Sequence, residues 1–244
     1  MIKYPILLLD ADETLFDFSR AEGEAISDAL RGMGILPDAE MIATYSRIND
    51  GFWKMLERGE ITRAELLWRR FEQLYEELGL TVSATETQSI YIERLALACP
   101  FIDGALEMLE ALSREYSLYA VSNGTASVQD GRIERSGIGR YFKKIFISER
   151  VGANKPDRLF FERCFSAIDD FSPEKSIIVG DSLTSDILGG KNAGILTCLF
   201  NPKGTKNHTE IIPDHEITGL SELPALLRRI SDTQEERKCT TDIK

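Results

Sequence analysis

The stretch LLLDADETLF, residues 7–16, decides the fold. It continues an apolar run, Ile6 to Leu9, that reads as a buried strand near the start of the chain. The run stops at Asp10, and Asp12 and Glu13 follow at once. Acids packed this closely repel one another unless a positive charge sits among them. A buried strand that delivers them at its tip therefore asks for a cation, and the rest of the chain must show what the cation serves.

Similar apolar segments recur at Ser117 to Val121, Lys144 to Ile147, Ser176 to Val179 and Leu196 to Phe200, with a weaker one at Glu216 to Thr218. The first segment itself spans Pro5 to Leu9. From residue 103 onward the segments alternate with helical patterns at Asp103 to Glu115 and Pro156 to Ile168. Strand and helix in alternation mean a parallel sheet covered on both faces. Residues 18–98 break the alternation and read as helices only. Within them Ala64 to Leu78 follows a T-x-x-E capping box at Thr62 and Glu65, and Gly32, Gly34 and Gly79 mark helix ends. The sequence thus predicts an α/β fold, a Rossmann-like parallel sheet core with an inserted all-helical cap domain. Residues 1–14 and 99–230 form the α/β core, 15–98 the cap, and 231–244 a polar, disordered tail.

Composition sets the outer limits. The chain has 244 residues, 43% hydrophobic and 28% charged, as in ordinary soluble globular proteins. A formal net charge of -11 argues against nucleic acid polymers and anionic membranes as partners, because both want basic patches. It leaves open a small phosphorylated substrate, which responds to the local field of a site. Cys99, Cys164, Cys198 and Cys239 make no C-x-x-C pair and no zinc spacing. The first three read as small core residues, which fits a reducing cytoplasm. The apolar run after Met1 is too short for a signal-peptide core or a membrane span. A monomer and a homodimer are equally compatible with these features.

In an open parallel sheet ligands bind beyond the carboxyl ends of the strands. Here the first strand leaves through Asp10-Ala11-Asp12-Glu13-Thr14, the second through Ser122-Asn123-Gly124, and the fourth through Gly180-Asp181-Ser182 with Asp186 five residues after Asp181. Asn154-Lys155-Pro156 follows the third. Asp10 and Asp181 together suit Mg²⁺, which prefers oxygen ligands. A carboxylate beside a phosphate monoester is a plausible nucleophile, since aspartyl phosphates are covalent intermediates. Ser122 can donate its hydroxyl to a phosphoryl oxygen, with the backbone N–H groups of Asn123 and Gly124 beside it. Lys155 offsets the charge gathered there, and Pro156 at the first helical position would fix where it points. Asp12 can give a proton to the leaving oxygen and later take one from water.

D-x-D-x-T, a serine after the second strand, Lys-Pro and G-D-S-x-x-x-D, in that order, resemble the haloacid dehalogenase superfamily. LFDF at 15–18, Ala21-Glu22 and VGANKPD at 151–157 resemble its subgroup of bacterial pyrimidine 5′-nucleotidases related to YjjG and YfnB. The resemblance implies Asp10 as nucleophile and Mg²⁺ ligand. It implies Asp12 as general acid and base whose backbone carbonyl also binds the metal, and Asp181 as the remaining protein ligand. Ser122, Asn123 and Lys155 would bind the phosphoryl group, and Asp186 would act behind them on a metal-bound water or on Lys155. Thr14 would support the loop.

Plainer readings stand beside these. Asp186 could instead cap a helix starting near Ile187. Glu13 reads as a spectator. His208 and His215 sit in a Lys- and Pro-containing stretch and read as surface residues. Trp53 and Trp68 read as cap core. Phe16, Asp17 and Phe18 begin the cap beside the nucleophile and are candidates for lining the substrate pocket. Gly189-Gly190 with Gly194 lacks dinucleotide spacing. The leading function is a Mg²⁺-dependent phosphomonoesterase for pyrimidine nucleoside 5′-monophosphates. Alternatives are a sugar-phosphate phosphatase or phosphomutase, a 2-haloacid dehalogenase, and an inactive binding protein. Dehalogenases that resemble the family lack a second acid like Asp12, since halide needs no proton to leave.

Overall fold

A computed structural model of the chain describes residues 4–231. The expected polar tail, 231–244, lies outside them except for Ser231, as does Cys239. The chain forms two compact units. The first takes the residues up to Phe16, Phe101–Gly124 and those from Ile138 onward; the second takes Asp17–Pro100 and Thr125–Gly137.

The first unit is built on six strands: β1 (Ile6–Leu9), β2 (Ser117–Ser122), β3 (Phe142–Ile147), β4 (Ser176–Gly180), β5 (Leu196–Phe200) and β6 (His215–Ile217). Their order is β3-β2-β1-β4-β5-β6 and every neighbouring pair is parallel. Leu7, Leu8 and Leu9 are fully buried, as an apolar run in the middle of a parallel sheet should be. Leu9 pairs with Ala120 on one side and Val179 on the other, which brings the exits of β1, β2 and β4 to one level. Helices α5 (Ala105–Leu112), α7 (Ser148–Val151), α8 (Arg158–Phe165) and α9 (Leu188–Asn192) accompany the sheet, with a further helix over 223–231. Phe160, Phe161 and Cys164 of α8 pack with Leu8, Ile178 and Phe146 in one buried cluster.

Several expectations shift. The helix expected from Pro156 starts at Arg158, because Asp157 takes the N-cap and accepts the Leu159 N–H at 2.9 Å. Pro156 therefore lies ahead of the helix, in a cis peptide after Lys155. The helix expected over Asp103 to Glu115 shortens at both ends, to Ala105–Leu112, with Gly104 left-handed at its start (φ 80°). Cys164 and Cys198 are core residues, but Cys99 is half-exposed.

The second unit comprises α1 (Phe18–Gly32), α2 (Ala39–Glu57), α3 (Arg63–Leu78), α4 (Ala84–Leu97) and α6 (Ala126–Ser136). Asp17, Asp38, Thr62 and Ser83 cap the first four, each accepting the backbone N–H three residues on. Thr62 and Glu65 form the full capping box, and Gly79 ends α3 in the left-handed conformation. Inside the bundle lies a polar relay. Asn49 donates to Glu22 at 2.6 Å and accepts from Arg70 at 2.6 Å, and Arg70 also donates to Gln88 at 2.8 Å. The rings of Tyr91 and Phe71 lie 4.9 and 5.0 Å from the buried guanidinium. Trp53 is half-buried against this core, whereas Trp68 is 38% exposed and not a core residue.

Helix α6 lies within the span 99–230 that was expected to form the α/β core. It packs instead within the helical unit. A Cβ on Gly131 would stand 2.9 Å from the Ala96 carbonyl oxygen, so only glycine lets α6 approach α4 this closely. Arg132 Nε then donates to Ala98 O at 3.0 Å, and Val128 joins the helical core.

Two glycines separate packing from helix propensity. A Cβ on Gly190 would lie 2.5 Å from Ile178 and 2.7 Å from Thr197, whereas Gly51, inside α2, has nothing within 4 Å. Gly190→Ala is expected to destabilise the protein by about 1–3 kcal/mol. Gly51→Ala is expected to stabilise it by roughly 0.5–1 kcal/mol. Urea unfolding followed by circular dichroism reads both signs.

Candidate active site

Three strand exits and one loop converge on a buried ammonium group. Lys155 Nζ donates to Asp10 Oδ1 at 2.5 Å, to Asp186 Oδ1 at 2.7 Å and to the Val121 carbonyl at 2.9 Å. Lys155 and Asp186 are 1% exposed and Asp10 6%. Charges so deeply buried persist only when paired and hydrogen-bonded, and here every ammonium proton has an acceptor.

Each partner is held by its own local device. Asn123 fixes the backbone of Lys155 from both sides: its Nδ2 donates to Lys155 O at 2.9 Å and its Oδ1 accepts the Lys155 N–H at 2.8 Å. Asp186 sits in a wide π-helical turn, Leu183–Ile187, that starts on Ser182. Its second oxygen accepts the Ser182 N–H at 3.2 Å. A Cβ on Gly180 would come within 2.2–2.7 Å of the Asp186 side chain, so the glycine before Asp181 gives that carboxylate its room. The β1 exit folds back on itself, with the Leu15 and Phe16 N–H groups on the Ala11 carbonyl at 2.9 and 2.8 Å. Glu13 makes the turn at φ 59° and bonds the Phe16 carbonyl at 2.8 Å. Thr14 is fully buried beneath it.

The electrostatics follow from this crowding. Burial, then Asp186, pushes the Asp10 carboxyl up to about 7 against the pull of Lys155. Burial, then Asp10 and Asp186, holds Asp181 well above the usual carboxylate range. Burial opposes the charge on Lys155, but Asp10 and Asp186 outweigh it and keep the lysine above its ordinary value. Asp10, Asp181 and Asp186 can each offer an oxygen, all within 4.8 Å of one another. Three carboxylates around one ammonium leave negative charge over, and a donor set of oxygens alone fits a hard divalent cation.

Residues 4–194 match the haloacid dehalogenase-like hydrolase family. The chain belongs to that family. It is 39% identical to the HAD-hydrolase YfnB of Bacillus subtilis over 227 residues, 93% of this chain and 97% of YfnB. It is 38% identical to the pyrimidine 5′-nucleotidase PynA of Streptococcus pneumoniae over 90% of this chain and 93% of PynA. Identity to the pyrimidine 5′-nucleotidase YjjG of Escherichia coli is 31%, over 93% of this chain and 99% of YjjG. The crystal structure of YfnB, bound to magnesium, superposes with a TM-score of 0.88 over 92% of this chain and 99% of that one.

Within this family frame the sequence-derived residues do not all come together. Asp10, Lys155, Asp181 and Asp186 come together in one cluster. Asp186 bonds Lys155 and Ser182, while Ser182 caps the turn by accepting the Ser185 N–H at 3.1 Å, so the plain capping role for Asp186 does not hold. Ser122 and Asn123 lie at the β2 exit, but the Gly124 N–H is engaged by Ser122 Oγ at 2.9 Å. The Asn123 side chain serves Lys155, a role that no spacing in the sequence announces because it links residues far apart in the chain. Asp12 is half-exposed on the β1 loop. Phe16 is fully buried and stacked on Phe101 at 5.3 Å, which makes it a packing residue of the first unit. Asp17 and Phe18 belong to the second unit, where Asp17 caps α1 and the Arg132 guanidinium lies 6.0 Å from the Phe18 ring. Glu13, read as a spectator, shapes the loop through its backbone.

Gly180→Ala tests the fit between β4 and Asp186. The added methyl displaces the Asp186 carboxylate from Lys155, and turnover is expected to fall at least about tenfold, as small misplacements in active sites do. Steady-state kinetics on a variant with unchanged circular dichroism measures it.

Proposed function

We propose that the protein is a Mg²⁺-dependent phosphomonoester hydrolase acting on pyrimidine nucleoside 5′-monophosphates. In this reading the first unit is the catalytic core and the second the cap. One observation carries it: the buried Lys155 bridge between Asp10 and Asp186, at aligned strand exits, in a chain that matches two pyrimidine 5′-nucleotidases over nearly their full length.

The chemistry follows from the residues in place. Asp10 attacks phosphorus and forms an aspartyl phosphate while the ester oxygen leaves. Asp12, two residues on, gives that oxygen its proton and then takes one from the water that cleaves the acyl phosphate. The Ser122 hydroxyl and the Asn123 N–H bind phosphoryl oxygens at the end of β2. Lys155 keeps Asp10 oriented and balances the charge of the phosphoryl group. Asn123 and Asp186 position Lys155. Asp10, Asp181 and the Asp12 carbonyl would hold Mg²⁺, which when bound supplies Lewis-acid stabilisation of the phosphoryl oxygens. Asp12 also favours ester over carbon–halogen hydrolysis, since an alkoxide needs a proton and a halide does not. Base selectivity belongs to the cap, where Asp17 and Phe18 remain the candidates nearest in sequence to the nucleophile.

Asp10→Asn is expected to leave the fold intact and lower phosphate release from dTMP to near the uncatalysed background. Wild-type rates in that variant would overturn the covalent mechanism. EDTA is expected to stop turnover and added Mg²⁺ to restore it; full activity after exhaustive chelation excludes the metal site. The substrate is decided by kcat/KM for dTMP, dAMP and a hexose phosphate. We expect dTMP to lead with the others measurable. A hexose phosphate that wins by tenfold or more replaces the nucleotidase with a sugar-phosphate phosphatase or mutase.

A further inference from the structure

The acids that make the site also make it hostile to its own substrate. Asp10, Asp12, Glu13, Asp181 and Asp186 stand at or next to the β1 and β4 exits, and Lys155 is the cation bonded among them. The chain as a whole adds a formal charge of -11. A phosphate monoester arrives as a dianion, so both the near and the far field oppose its approach. A divalent ion removes only part of that excess.

A cavity of about 390 Å³ in the first unit borders these acids at Glu13 and Asp181. Its lining includes Glu13 and Asp181, Leu199 and Phe200 at the end of β5, and Lys203 and Lys206 on the loop that follows. Both lysines are exposed, and neither makes an ion pair among the described residues. The loop that bears them is pinned rather than loose. Asn201 donates to Thr205 O at 3.0 Å and to Glu216 at 2.7 Å, and its Oδ1 accepts the Thr205 N–H at 2.9 Å. Two exposed lysines on a hydrogen-bonded loop thus line the same cavity as Asp181.

We propose that Lys203 and Lys206 are the substrate-capturing residues of this enzyme, an electropositive rim that draws the phosphate dianion into the cavity towards Asp10. The inference rests on the phosphomonoesterase reading above. Two exposed charges act through their field, so their effect is strong in dilute salt and fades as the Debye length shrinks to about 10 Å at 0.1 M. They do not touch the reacting atoms, so they govern capture and not the chemical step.

The test compares the full-length wild-type chain with Lys203→Glu/Lys206→Glu, and with Lys175→Glu as a control on an exposed lysine outside the cavity. Two readouts are taken with Mg²⁺ present, at ionic strengths from low to high: kcat and KM for dTMP, and calorimetric binding of inorganic phosphate. At low salt the double variant is expected to lose at least about tenfold in kcat/KM, carried by KM, and to bind phosphate correspondingly more weakly. Both losses shrink at high salt, and the control matches wild type. The milder Lys203→Ala/Lys206→Ala variant shows the same pattern at smaller amplitude, which guards against a fold defect from charge reversal. If neither pair changes KM or phosphate affinity at low salt, or if the loss sits in kcat and ignores salt, the capturing role is wrong. A wild-type chain that fails to hydrolyse dTMP or any other phosphomonoester removes the functional reading instead. In that case phosphate binding alone still decides the rim.

Discussion

Every feature of the site depends on one buried ammonium group. Without Lys155, Asp10 and Asp186 would face each other in a space that excludes water, and one would have to take up a proton. With it, two carboxylates and the Val121 carbonyl are tied to a single point, and so are β1, β2 and the turn after β4. The cost of burying these charges is offset because every partner is geometrically prepared. Asn123 fixes the lysine's backbone, Ser182 fixes the turn, and Gly180 leaves space for the carboxylate. Such an arrangement is rigid because removing one member leaves another buried charge exposed to nothing but its like.

The helical unit solves a related problem by a different route. Two of its buried charges, Glu22 and Arg70, are linked through the amide of Asn49. Aromatic rings cover the guanidinium, where they add cation–π contact to simple exclusion of water. Four helices in succession start on a side-chain cap, so their ends are set locally, and the relay and its aromatic cover bind them together.

Much of this was legible in the sequence because strand ends are local events. Asp10, Ser122 and Asp181 each sit where an apolar run stops, and alternation of the runs with helices places them on one edge of a parallel sheet. Thr62 and Glu65 announced their helix for the same reason: a capping box lies within a single turn. What escaped was whatever depends on distant partners. Pro156 looked like a helix start until Asp157, one residue on, took the cap. Phe16 looked like a pocket wall, yet its ring is occupied by Phe101, across the whole helical insertion. Asn123 was read for its N–H, while its side chain serves a lysine that no pattern links to it. Helix α6 lies in the span assigned to the sheet domain, and the absence of a side chain at Gly131 lets it pack on α4 instead.

The position of β1 carries a consequence for how the protein comes into being. The strand precedes the other five of its sheet in the chain, yet its neighbours on the two sides are Ser117–Ser122 and Ser176–Gly180. Until the first of these has left the ribosome, the segment bearing Asp10 has no strand to pair with, and until the second has, one of its edges stays open. The helices of Asp17–Pro100, with their local caps, can form long before. The nascent chain therefore carries an unpaired, strongly apolar strand while the intervening helices are already available to fold, and Asp10 and Asp186 can share Lys155 only after β4 has arrived. A fragment that stops short of β4 has Asp10 but no site.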